Sequence, residues 1–150
     1  MKRVKKLIVA AVVALCASVV LVACGKSTTT SAFKPTFEGT YYGVNSHLSN
    51  VPTKLVITKD KASMYTSDNP DKGDVYSNAS LNTKNKTTTD TMTMESHPYT
   101  WDSKTGVFIG YVGVPYELKF YEQGTKKGNA AKKTFDKAAK KTKANPENGY

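Results

Sequence analysis

Residues 107–114, VFIGYVGV, and residues 116–121, YELKFY, decide the fold class of this 150-residue chain. Both runs are rich in β-branched and aromatic residues, as strands are. In the second, Tyr116, Leu118 and Phe120 fall on one side and Glu117, Lys119 and Tyr121 on the other. That period of two belongs to a strand with one buried face. The same character extends backward to residue 37, where FEGTYYGV (37–44) is aromatic and bounded by glycine. KLVIT (54–58) and ASMYT (62–66) flank Lys59-Asp60-Lys61 and predict a hairpin. Asn69-Pro70-Asp71-Lys72-Gly73 is a turn. Residues 75–81 predict a strand, residues 82–89 a polar connection, and TMTME (91–95) a further strand. Tyr99 and Trp101 precede the turn DSKTG (102–106). Seven or eight short strands at this spacing predict an all-β domain, a small antiparallel barrel or sandwich over residues 37–123.

Residues 124–150 read differently. At about 100° per residue, Ala131, Phe135, Ala138, Ala139 and Thr142 share a narrow arc, and Lys132, Lys133, Lys137, Lys140, Lys141 and Lys143 occupy the rest. This predicts an amphipathic, lysine-rich helix that Asn145-Pro146 ends. It is too short to stand alone in water, so it docks on the domain or folds against something anionic. The charge supports the division. From Cys24 to Gln123, ten lysines balance ten acids, whereas the last 27 residues carry eight lysines against Asp136 and Glu147. No arginine follows Arg3, so the bidentate phosphate grip is missing. Lysines alone suit diffuse attraction to anionic wall polymer or lipid head groups, and no nucleic-acid motif is present.

The amino end is a leader. Lys2, Arg3, Lys5 and Lys6 precede an apolar run from Leu7 to Val20, the arrangement of a secretory signal. Leu21-Val22-Ala23-Cys24 then resembles the lipobox of bacterial lipoproteins. The resemblance implies cleavage after Ala23 and a diacylglyceryl group, with palmitate-type chains, on Cys24. It places the protein, lipid-anchored, on the extracytoplasmic face of the cell membrane. Residues 1–23 are then signal peptide and residues 24–36 a polar tether. Cys16 leaves with the signal, so the mature chain has no disulfide. Gly39-Thr40-Tyr41-Tyr42-Gly43, followed by hairpins and a final helix, is similar to the small calycin-like (lipocalin-like) barrels of Gram-positive surface lipoproteins, with Tyr41 where calycins carry tryptophan.

Candidates for chemistry are few. His47 and His97 lack metal or triad spacing and read as exposed loop residues. Asp68, Asp71 and Asp74 lack the calcium-loop order. Glu95, Asp102, Glu117 and Glu122 form no evident hydrolytic pair, and Glu117 and Glu122 read as solvent-facing. No metal, cofactor or catalytic residue is expected. The aromatics admit two readings: a filled core, or a pocket for a small ligand lined by Tyr41, Tyr42, Tyr65, Trp101, Tyr111 and Tyr116. Lys132, Lys133, Lys137, Lys140 and Lys141 are the candidate contacts to an anionic surface. The expectation is a non-catalytic binding module for a small ligand or an anionic envelope component. The alternative is a structural or protective lipoprotein working through protein contacts, with a wall-acting enzyme third.

Overall fold

The computed structural model describes residues 33–72 and 78–144. Several expectations lie outside the described residues: the leader with Ala23 and Cys24, the tether as far as residue 32, Gly73 and Asp74, the first residues of the strand expected from 75, and the Asn145-Pro146 stop.

Among the described residues nine strands run up and down in chain order: β1 (Gly39–Asn45), β2 (Val51–Ile57), β3 (Lys61–Thr66), β4 (Asn78–Asn82), β5 (Thr87–Asp90), β6 (Ser96–Pro98), β7 (Thr100–Asp102), β8 (Val107–Gly110) and β9 (Leu118–Glu122). Pairing is antiparallel throughout, and β9 returns to β1 with Tyr41 opposite Glu122. Only Tyr99 separates β6 from β7. Residues 96–102 are therefore one length of chain whose first half holds β5, with His97 opposite Thr88, and whose second half holds β8, with Trp101 opposite Phe108. At the changeover the Tyr99 N–H donates to the Lys86 carbonyl at 2.9 Å. The sheet so becomes a nearly closed antiparallel barrel rather than a sandwich.

The hairpins share a local device. Four strands end on Asn or Asp, and each side chain accepts an N–H from two or three residues further on. Asn45 Oδ1 accepts from His47 and Leu48, Asn82 Oδ1 from Asn85, Asp90 Oδ1 from Met92 and Thr93, and Asp102 Oδ1 from Lys104. Each turn then leaves through a left-handed residue: Asn50, Lys86, Met94 and Gly106 have φ of 61°, 53°, 59° and 64°. This device moves one expected strand. Residues 91–95 form the turn rather than a strand, because Asp90 caps them, and the polar run before them supplies β5. The strands around 107–121 are also shorter than their apolar runs. Gly113, at φ 62°, turns the chain between β8 and β9.

Alternation fills the inside. Tyr41, Leu55, Ile57, Ala62, Met64, Phe108, Val112, Leu118 and Phe120 are buried in one cluster. Phe37 plugs the end where the described chain enters, stacked on Tyr99 and edge-on to Trp101, each at 5.6 Å between ring centroids. Glu122 continues the inward set of Leu118 and Phe120 and is 3% exposed, not solvent-facing as its charge alone predicts. Its carboxylate accepts the Thr36 N–H at 2.9 Å and the Thr36 hydroxyl at 2.9 Å. A buried carboxylate persists only with such donors.

The helix, α1 (Lys126–Ala144), lies outside the barrel against β1, β2 and β9. Thr125 caps it by accepting the Gly128 N–H at 3.0 Å, the usual role of an N-terminal threonine. Of the expected arc, Phe135 and Ala139 are buried, with Ala131 packed against them. Phe135 meets the outward-facing Tyr42 edge-on at 5.6 Å. Burying one such ring stabilises by about 1.5–3 kcal/mol, enough to hold a helix that would not persist alone. Gly128 sets how closely the helix starts, since a Cβ there would lie 1.9 Å from the Glu122 carbonyl oxygen. Among the described residues no helix is long and apolar enough to cross a membrane.

Gly128→Ala must push the first helical turn off β9, and its expected cost is about 1–3 kcal/mol in urea unfolding, the usual range for overpacking. Phe135→Ala is expected to cost about 3 kcal/mol. An unchanged midpoint for either variant would mean the helix does not rest on these contacts.

Candidate functional site at the barrel mouth

The two barrel ends differ. At the entry end, Glu122, Thr36, Phe37, Tyr41 and Trp101 form a sealed layer. The Tyr41 hydroxyl lies 2.6 Å from the Thr36 carbonyl oxygen and 3.0 Å from that of Phe37. Burial raises the Tyr41 phenol well above its ordinary pKa, and the Glu122 charge adds to the rise. The Trp101 indole N–H has no hydrogen-bond partner of good geometry, yet lies close enough to the phenol to work against that shift. The phenol therefore stays neutral, and this end is structural.

Among the described residues the opposite end is open. The 46–50 turn, the chain following β3, the β5–β6 turn and the loop between β8 and β9 meet there. Exposed apolar side chains collect there: Val44, Leu48, Met92 and Met94, the last 72% exposed. Between the β5–β6 turn and the β8–β9 loop lies a cleft of about 320 Å³, walled by Met92, Val114, Pro115 and Tyr111 and flanked by Asp90, Glu95 and His97. His97 stacks on Tyr111 with ring centroids 4.4 Å apart and planes 20° apart. Its Nε2 lies 3.7 Å from Glu95 Oε2. His97 thus stands on β6 and half-buried, not in a loop, because Pro98 beside it ends an edge segment without breaking the pairing to β5.

The Asp90 carboxyl is held below the usual carboxylate range, first by the Thr93 N–H, with the Met92 N–H, the Thr93 hydroxyl and the charge of His97 adding to it. The group that shapes the turn therefore also keeps a negative charge at the mouth.

The structure disperses the six aromatics that the sequence offered as one pocket. Tyr41 and Trp101 lie in the sealed layer. Tyr42 faces outward beneath the helix, and Tyr65 faces outward with the Lys54 ammonium 4.3 Å over its ring. Tyr116 stacks on His47 at 4.0 Å and lies 3.2 Å from Asn45 Nδ2. Tyr111 alone of the six lines the cleft. Glu95 and His97, singled out in the sequence for other chemistry, also line it, whereas Met92, Thr93, Gly113, Val114 and Pro115 were missed because they sit in the two connecting loops. The signals that could have found them are two exposed methionines in a five-residue stretch and Val114-Pro115 beside Gly113.

The lysines divide similarly. Lys132 is bonded to Asp136 and Lys143 to Asp71, whose carboxyl it holds below the usual range. Lys133, Lys137, Lys140 and Lys141 are exposed on the outer helix face. Asp68 and Asp71 gather no cation site, and among the described residues no three His, Cys, Asp or Glu side chains come together to hold a metal.

No family model matches the chain, and no curated protein or solved structure does either. The mouth must be read from its own chemistry.

Because folding lowers the pKa of Asp90, the stability it lends is present above the ordinary aspartate range, about pH 4, and is lost as pH falls through its lower folded value. Protection of the Met92 and Thr93 amides from hydrogen exchange, taken relative to their intrinsic rates at each pH, is expected to fall in that acid window, and at neutral pH in Asp90→Ala. Protection in Asp90→Ala equal to that of the parent would remove the cap from the account of this turn.

Proposed function

We propose that this protein is a lipid-anchored, extracytoplasmic binding module, non-catalytic, that takes a small ligand at the barrel mouth. One observation carries the reading: the barrel interior is filled by side chains, while an apolar cleft opens at the end opposite the one where Thr36 and Phe37 enter. A packed interior moves a ligand to the surface, and the mouth offers it a cleft walled by Met92, Val114, Pro115 and Tyr111. In this reading Leu21-Val22-Ala23-Cys24 supplies the anchor, and two acyl chains on Cys24 keep it on the membrane. The non-catalytic reading is supported by the engagement of Asp90, the carboxylate that shares the mouth with Glu95, by the Met92 and Thr93 N–H groups of its own turn.

The helix offers a second contact. Lys133, Lys137, Lys140 and Lys141 project from a surface whose apolar side is already occupied by Tyr42. They support attraction to anionic wall polymer or lipid head groups, at about 1 kcal/mol for each lysine near such a surface.

Cys24→Ser is expected to lose the acyl mass and to leave the membrane fraction. Native mass spectrometry of the full chain after incubation with envelope extract is expected to show an adduct that Val114→Arg abolishes. A clean apo mass in the parent would sink the small-ligand reading. Changing Lys133, Lys137, Lys140 and Lys141 together to Gln is expected to abolish salt-sensitive retention on purified wall, and undiminished retention would count against the polymer contact.

A further inference from the structure

The mouth is the acidic place on a basic protein. The chain carries 22 Lys plus Arg against 12 Asp plus Glu, yet no lysine among the described residues lines the cleft, whereas Asp90 and Glu95 both do. Asp90 is spoken for in part by two turn amides, each at 2.8 Å. Glu95 makes only the long contact to His97 and is largely exposed, so its carboxylate remains free to meet a ligand. Between these acids the wall is apolar: the thioether of Met92, Val114, Pro115, and the stacked rings of Tyr111 and His97.

We infer that the cleft is a site for a small organic cation, an ammonium group on an apolar body, with Glu95 as its counter-ion and Met92, Val114 and Tyr111 as the seat of the body. This rests on the mouth being the binding site and adds the chemistry of what binds there. An anion would meet two carboxylates and no lysine. A neutral polar molecule can donate to Glu95 but leaves its charge uncompensated, and any further polar groups would lie against methionine, valine and proline, which costs when they find no partner. A cation with an apolar body satisfies both halves of the wall, and an aromatic face beside a carboxylate is a recurrent setting for ammonium groups. The volume of about 320 Å³ lies at the small end of ligand sites, about 300–1,000 Å³, so the body is one ring or a short chain. The loops fit the task. Met92 is a flexible, polarisable side chain that adapts to different apolar shapes, and it is held by a turn that Asp90 fixes.

The methionines provide the test. The chain has four: Met1 in the leader, Met64 in the core, and Met92 and Met94 at the mouth. The full chain, methyl-labelled at methionine and held in nanodiscs of zwitterionic lipid, is titrated with benzylammonium, benzyl alcohol and benzoate, with empty discs correcting for partition into lipid. Benzylammonium is expected to move the Met92 methyl signal saturably while Met64 stays fixed. Benzyl alcohol is expected to bind about tenfold more weakly, and Glu95→Gln to bring benzylammonium down to the alcohol's level, the loss that removing one charge-assisted contact implies. Benzoate or benzyl alcohol binding as tightly as benzylammonium would overturn the cation assignment while leaving the mouth as the binding site, as would an unchanged affinity in Glu95→Gln. No saturable Met92 shift with any of the three would overturn both.

Discussion

The structure depends on a single length of chain pairing with both edges of its own sheet. Residues 96–102 hold β5 by their first half and β8 by their second. Without that double pairing, β5 and β8 would each present a row of unpaired N–H and C=O groups, the usual route to aggregation. With it, the sheet curls until alternate side chains converge, and the interior closes around Tyr41, Phe108 and Phe120. Closure is the arrangement that removes sheet edges outright rather than only blunting them. The changeover falls at Tyr99, whose ring packs between Phe37 and Phe108, so backbone closure and core packing are fixed by one residue.

Closure also explains why the two ends take different roles. At the entry end the chain before β1 must cross beneath the barrel, and Thr36 secures it to the Glu122 carboxylate across 86 residues of sequence. The Tyr41 hydroxyl satisfies the carbonyls that the crossing exposes. Phe33, though exposed, rests on Gly124 so closely that a Cβ there would lie 2.3 Å from its ring. The described chain is therefore engaged with the barrel from its first residue. At the other end none of the described residues crosses, and the turns there carry methionines and acids around a shallow cleft.

Much of the fold was legible, and the limits of legibility follow from how side chains report their surroundings. Period two at Tyr116 to Tyr121 identified a strand, because burial alternates along it, and the 3.6 period around Phe135 identified the helix. Glu122 was misread because a charged residue indicates solvent unless its partner is known, and that partner lies at Thr36. The polar TTTD of β5 was passed over because Thr88 is buried through its small size and a hydroxyl bond to the His97 carbonyl, not through hydrophobicity. Residues 91–95 alternate like a strand, yet the Asp90 cap overrides alternation. The aromatics gave their number but not their direction. Tyr41 and Tyr42 are neighbours in sequence and face opposite sides of the wall, so a list of aromatic residues could not define a pocket.

The pairing of β1 with β9 carries a consequence for the order of events in synthesis. The first strand's second neighbour is the last strand, and the helix that covers β1 comes later still. A growing chain can form the hairpins from β1 to β5 as they emerge, but it cannot close until nearly all of it has been made. Contacts so distant in sequence are slow to form, since the loop entropy is lost before they reward it. Until then the chain remains a set of local hairpins of marginal stability, readily unravelled and threaded through a narrow opening. Its architecture defers commitment to the folded state until the final quarter of the sequence is available.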